Sequence, residues 1–404
     1  MIKRIFLPLV VLLLIAVFLA PIPAGAADVS AVVAANNQFA FELYARYKSL
    51  PGNIFYSPYS ISSALAMTYE GGRGQTAAEM EKVFHFPSDA AARREAYLAI
   101  YQEINKADKK YTLNTANALW AQEGYPFLEE YFSLIEKYYG GKATNLDFRI
   151  RSEESRQTIN LWVEERTNHK IEELIPSGMI GADTKLILTN VVYFKGSWRT
   201  PFDAQHTRKA NFRTGDQKTV KVPTMYLSEN KSYAEADGLQ ILELPYQGED
   251  LSMLILLPGK KTLESVEASL NAAKVAEWQK LLQQEKVIIY LPKFKFGTKY
   301  FMRQDLNSLG MQAAFSDVDA DFSGMTGKKD LFISAVIHQA FVEVNEEGTE
   351  AAAATVVMML KGTVTHMSVP PKIFQADHPF LFIIQDRKTG LILFIGRVND
   401  PSAM

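Results

Sequence analysis

Two short motifs carry the residue types of acyl-transfer chemistry. Ser228 to Lys231 reads SENK and fits S-x-x-K, a serine nucleophile three residues ahead of a lysine. Lys388 to Gly390 reads KTG, a companion motif of the same chemistry. The S-D-N element that belongs between them is absent. SENK lies in a polar segment with no apolar helix after it, and KTG is accounted for as the turn between two apolar runs. A second set, Ser57, Ser60 and His338, holds the residue types of a nucleophile and its base. Those serines flank Pro58 in a strand-to-helix turn and lack a G-x-S-x-G setting. Structural polar pairing is the stronger reading of the second set, and the first is two short motifs with a high chance rate, so no catalytic residue is expected. The chain has no cysteine, which excludes thiol chemistry and a disulfide framework. Nothing in it points to a metal or cofactor site.

The elements that would position such residues fall into two groups. The early chain reads helical, in AANNQFAFELYARYKS, TAAEMEKVF, REAYLAIYQEINKA and FLEEYFSLIEKYYGG, with apolar residues at three- and four-residue spacing. Ser152 to Glu173 reads as one further long helix that stops before Pro176. From Leu186 the pattern changes. LILTNVVYF, LSMLILLP, VIIYLPKFKF and FISAVIHQAFVEV are rich in β-branched and aromatic residues and read as buried strands. A helical patch, LESVEASLNAAKVAEWQKLL, interrupts them, and FLFIIQDRKTGLILFIGRV reads as a hairpin turning at Asp386 to Gly390. The order predicts an α+β protein with helices early and strands late.

The start of the chain predicts export. Lys3 and Arg4 precede an apolar run from Ile5 to Ala20, followed by the small-residue site Ala24-Gly25-Ala26. Residues 1–26 are expected to be a signal peptide and the product secreted or periplasmic. The run is short for a membrane span, and an uncleaved anchor is the alternative. Removing 26 of the 404 residues leaves 378, a length that by itself predicts two domains. A formal net charge of −2 gives no electrostatic footprint for nucleic acid.

Five segments, in order along essentially the whole mature chain, are similar to one family. NIFYSPYSISSALAMTYEGGRGQTAAEM (53–80), LTNVVYFKGSW (188–198), VEVNEEGTEAAAAT (342–355), FQADHPFLFII (374–384) and LFIGRVNDP (393–401) resemble the signatures of a serpin. The resemblance implies one large domain, 27–404, of three β-sheets with surrounding helices, which overrules the two-domain expectation from length. It also implies suicide inhibition of a serine protease. An exposed reactive loop, here Glu346 to Pro371, is cleaved, stays attached to the protease and enters the main sheet as a new strand. Ser57, Ser60, Asn190 and His338 match a polar cluster, the shutter, where strands part. Trp198, Lys293 and Glu346 match the breach, where the loop begins to enter.

The loop sequence suits that task. Its hinge is Glu346, Glu347, Gly348, Thr349, Glu350, Ala351, Ala352, Ala353 and Ala354. Gly348 would supply backbone freedom, and the small residues would enter a sheet with little obstruction. No proline follows until Pro370, so ladder donors are kept. Period-2 alternation puts Thr349, Ala351, Ala353, Thr355, Val357 and Met359 on one uncharged face, with Glu350 on the other. About fifteen residues span roughly 50 Å as a strand, and their new backbone bonds net on the order of 10 kcal/mol. By propensity the alanine run equally suits a surface helix, a reading weakened by Gly348 and by Thr355-Val356-Val357. Met358 and Met359 would be exposed bait, open to oxidation.

Counting from Gly348 with the commonest family spacing puts the reactive bond at Gly362-Thr363. A hinge one residue shorter puts it at Lys361-Gly362, bait for an acidic, trypsin-like pocket. Cleavage at Met359 or Leu360 by an elastase-, chymotrypsin- or subtilisin-like enzyme stays open. The expected product is a monomeric inhibitor whose partner is a serine protease, with no cofactor, nucleic acid or membrane partner after signal cleavage. One alternative is a non-inhibitory serpin acting as a chaperone or binding module. A remote one is a serine enzyme of the penicillin-binding or β-lactamase type.

Overall fold

The computed structural model describes residues 27–106, 109–349 and 370–403. Hydrogen bonding joins the strands of these residues into two networks. The six-stranded one runs in the order β10 (Phe294–Phe301), β11 (Ile333–Val344), β12 (Gly348–Thr349), β4 (Leu186–Ser197), β2 (Tyr111–Gln122) and β3 (Lys142–Leu146). The nine-stranded one runs β1 (Ile54–Tyr56), β15 (Ile392–Val398), β14 (Phe380–Asp386), β8 (Leu251–Pro258), β7 (Leu239–Pro245), β6 (Thr219–Ala236), β9 (Gln283–Pro292) and β13 (Lys372–Gln375), with β5 (Arg208–Arg213) against β6. The resemblance implied three sheets. Here the second and third share the 18-residue strand β6, which pairs β5 at its start, β9 through its middle and β7 at its end. A large apolar core runs from α1 (Ser30–Tyr47) to β15 beside a smaller second one, as one domain rather than the two expected from length.

Alternation along the six-stranded sheet explains its two cores. Leu188, Val192, Val336 and Ala340 face the main core, with α2 (Pro58–Tyr69) behind them. Ile187, Val191 and Ile337 face away and are covered by Phe148 and by Ile159 and Val163 of α6 (Ser152–Arg166). Helices α3 (Gly74–Phe84), α4 (Ala90–Ile104) and α5 (Glu129–Tyr139) pack around α2. The structure shortens one predicted helix. The stretch read as Ser152 to Glu173 leaves the helix at Arg166, because Asn168 and His169 take left-handed φ of 49° and 57°. Leu174 and Ile175 can then turn back into the core.

The patch at 263–282 is two helices, α7 (Leu263–Ser269) and α8 (Ala272–Lys280). Asn271 separates them and caps the second by accepting a hydrogen bond from the Lys274 amide. VIIYLPKFKF is likewise two strands, β9 and β10, parted at Lys293. Strands β2 and β3 break the helices-first order. The remaining helices, α9 (Arg303–Leu309) and α10 (Ser323–Thr326), are short. Among the described residues no helix is long and apolar enough to cross a membrane.

Candidate functional site

Strands β4 and β11 pair in parallel from Leu186–Ile333 to Tyr193–Phe341. Beyond that point they part, and β12 lies between them. Gly348 pairs with Ser197, while Thr349 pairs with Gly196 on one side and Val344 on the other. Gly348 is required here by close approach. It has a φ of +154°, and a Cβ would lie 2.0 Å from the Gly196 carbonyl oxygen. Gly196 is equally confined, since its own Cβ would meet Phe194 and Tyr246 within 3 Å. Two glycines thus let β12 and β4 meet. The sequence reading assigned Gly348 freedom of backbone; the geometry adds absence of bulk.

Thr349 is 1% exposed, and its hydroxyl lies 2.8 Å from the Tyr246 hydroxyl. Its side chain therefore faces the core, as alternation predicts. Trp198 stacks on Tyr246 at 4.7 Å between ring centroids, and its indole N–H donates to the Asn345 carbonyl at 3.0 Å. The Trp198 and Phe202 amides donate to the carbonyls of Glu347 and Glu346 at 2.7 and 2.8 Å. The Glu346 carboxylate accepts from Lys293 Nζ at 2.7 Å and from the Thr207 hydroxyl at 2.8 Å. Burial by itself raises that carboxyl, but the bonds from Lys293 and Thr207 outweigh it and hold the group below its usual range. The breach residues Trp198, Lys293 and Glu346 are thus gathered at the mouth of the slot. Tyr246, Thr207 and Asn345 also belong to the group; sequence reasoning missed Tyr246 and Thr207 because each arrives from a separate element, and Asn345, next to Glu346, because its bond to Trp198 uses the backbone carbonyl. Glu346→Gln keeps the size and removes the charge. It is expected to cost about 1–2 kcal/mol, read as a lower urea midpoint. An unchanged midpoint would show that the pair does not hold the turn.

The shutter residues meet 0–2% exposed at the middle of the same β4–β11 seam, where Asn190 and His338 are register partners. Ser57 follows β1 and caps α2 by accepting from the Ser60 amide at 3.1 Å, with Pro58 at the first helical position. The Ser57 amide donates to His338 Nε2 at 3.1 Å. Nε2 therefore has no proton, and Nδ1 carries it and donates to Asn190 Oδ1 at 2.5 Å. The Asn190 amide donates to the Ser60 carbonyl at 2.8 Å and to the Asn117 side chain. Every member is satisfied only with a neutral imidazole. Burial holds His338 far below the usual histidine value, at about 3. Asn117, opposite Asn190 on β2, is a missed member. The aromatic and β-branched residues of Tyr111–Gln122 carry a strand signal there, diluted by alanines and asparagines.

The geometry also decides the acyl-transfer motifs. SENK lies within β6, where residues three apart point to opposite faces, so Ser228 cannot reach Lys231. KTG lies between β14 and β15, as the hairpin reading predicts. Among the described residues no group of three or more acidic, histidine or cysteine side chains could hold a metal. Glu350, Ala351, Ala352, Ala353 and Ala354 of the hinge lie outside the described residues. So do Met358, Met359, the reactive-bond candidates Lys361, Gly362 and Thr363, and the 1–26 leader.

Fold and site define a class: an α+β domain whose main sheet is parted at one end and holds the first residues of the segment that follows. The chain belongs to the serpin family, whose model, described as serpin (serine protease inhibitor), matches residues 34–401. The chain is 44% identical over 375 residues to a serpin-like protein of Methanosarcina acetivorans, covering 92% of this chain and 88% of that one. It is also 44% identical over 381 residues to human leukocyte elastase inhibitor, covering 91% and 98%. Among solved structures it is similar to Serpin48 of the insect Tenebrio molitor, with a TM-score of 0.81 and 34% identity over 92% of this chain and 98% of that chain. At the level of the family this is a group of protease inhibitors for the most part, not of enzymes.

Proposed function

We propose that this chain is an exported suicide inhibitor of serine proteases, acting through the 346–371 segment as bait and then as an inserted strand. The observation that carries the reading is the position of Gly348 and Thr349, paired between β11 and β4 with Thr349 buried. A loop whose first residues occupy the slot needs only to continue the ladder once its far end is cut. The likeness to a leukocyte elastase inhibitor supports the same reading. The proposed target is a trypsin-like or broad-specificity enzyme, cutting at Lys361-Gly362 or one residue later. The 1–26 leader is proposed to direct secretion or periplasmic export, and the inhibitor is proposed to act as a monomer.

The test is covalent trapping. Mixing the mature protein with trypsin-, elastase-, chymotrypsin- and subtilisin-like enzymes is expected to give an adduct that survives boiling in detergent. If every active protease cuts the loop and turns over, the inhibitory reading fails and the non-inhibitory alternative stands. Intact mass of the released C-terminal fragment locates the bond. A fragment beginning at Gly362 or Thr363 is expected; one beginning before Leu360 or after Thr363 rejects the proposed register.

A further inference from the structure

Away from the slot, beside the end of β15, lies a cleft of about 450 Å³, within the range of small-molecule sites. Its walls come from the end of α1, the β5–β6 turn, the segment after β8 and the end of β15. Lys48, Arg213, Lys261 and Arg397 line it, against Glu264 and Glu267. Four permanent cations facing two carboxylates leave an excess of two positive charges. Glu267 is already engaged, accepting from the Tyr44 hydroxyl at 2.6 Å and from Arg397 at 3.1 Å. Lys48, Arg213 and Lys261 have no carboxylate within ion-pair distance among the described residues.

Arg397 forms a buried part of the cleft wall. It is 5% exposed, and its terminal nitrogens donate to the carbonyls of Lys48, Leu50 and Gly52. Its Nε is buried with no partner. The walls are also fixed rather than loose. The Arg213 amide donates to the Asp377 carbonyl at 2.8 Å, and the Gly215 amide to the Asn399 carbonyl at 3.1 Å. Gly215 packs so closely on Asn399 that a Cβ would lie 2.0 Å from its Oδ1. His378 also lines the cleft, but both its ring nitrogens are taken, by Asp377 and the Pro258 carbonyl, so it adds no free donor.

We propose that this cleft binds a compact dianion carrying phosphate or sulfate groups. Charge excess sets the dianion, the volume of about 450 Å³ sets the compactness, and guanidinium and ammonium donors set the oxyanion chemistry. The ligand would bridge the end of α1 to the segment just after β13, the first strand beyond residues 350–369.

The experiment is calorimetric titration of the mature chain with pyrophosphate, and separately with a disulfated disaccharide, at constant ionic strength. Saturable one-to-one binding of at least one probe is expected, and which one binds identifies the phosphate or sulfate source. Arg213→Gln with Lys261→Gln is expected to weaken that binding at least tenfold. Lys82→Gln with Lys142→Gln removes the same charge from elements that do not line the cleft and is expected to change it less than twofold. Absence of saturable binding by both probes overturns the proposal. Equal weakening in the two double variants overturns it as well, since it would reduce the effect to net charge.

Discussion

Thr349→Arg is expected to turn the protein from an inhibitor into a substrate cut at the same bond. Thr349 sits in a slot between β4 and β11, 1% exposed, with its hydroxyl on Tyr246. The arginine would either bury an unpaired guanidinium, at a cost of about 3–5 kcal/mol, or withdraw β12 from the slot. If even ~3 kcal/mol of that cost is felt in the step that draws the loop inward, insertion slows by more than a hundredfold. Hydrolysis of the acylated protease then wins. Under conditions where the parent protein forms mostly adduct, the detergent-resistant band is expected to fall below about a tenth of the parent value, while the released fragment keeps its mass. Glu350→Arg is the companion measurement. By sequence alternation Glu350 would fall on the other face of an inserted strand, so its adduct yield is expected to stay close to the parent's. Unchanged trapping by Thr349→Arg would sink the claim that this side chain enters the sheet.

The sequence made the late strands legible, and singled out Gly348 and Thr349, because their signals are local. Apolar runs such as LSMLILLP need no partner to be recognised, and a glycine followed by small residues in the 348–354 stretch restricts what the chain can be. Seams are less legible. The two residues of β12 form a strand only because Gly196 leaves room on the far side, a fact held 152 positions away. Asn117 belongs to the shutter through its pairing opposite Asn190, not through any pattern in its neighbourhood. Tyr246 reaches the breach by stacking on Trp198 after the chain has passed through β5, β6 and β7. The helix read as running to Glu173 failed for a related reason. Its amphipathic pattern continues past Arg166, yet Ile171, Leu174 and Ile175 pack on the sheet only if the backbone turns at Asn168 and His169. Where long-range packing competes with local periodicity, the packing decides.

The shutter predicts a pH dependence whose sign follows from its proton positions. His338 must be neutral, because Nε2 accepts from the Ser57 amide while Nδ1–H donates to Asn190. Protonation at Nε2 would set two N–H groups against each other in a site with 0% exposure. In the folded protein burial depresses the imidazole from 6.5 to about 3, whereas the unfolded chain keeps the ordinary value. The stability this group contributes is therefore fully present above pH 6.5 and is lost progressively as pH falls toward 3. Between pH 7 and pH 5 the loss is about 2 kcal/mol, since one pKa unit is worth about 1.4 kcal/mol. Urea unfolding across that window is expected to show it as a falling midpoint. His338→Gln removes the titrating group but keeps a side chain able to accept and donate. It is expected to be less stable than the parent at pH 7, because its shorter amide fits the Ser57–Asn190 gap poorly. The difference should shrink by about 2 kcal/mol at pH 5, where the parent has lost its histidine contribution. If parent and variant instead fall in parallel from pH 7 to pH 5, the titration belongs to other groups, and His338 is not the residue that makes the β4–β11 seam sensitive to acid.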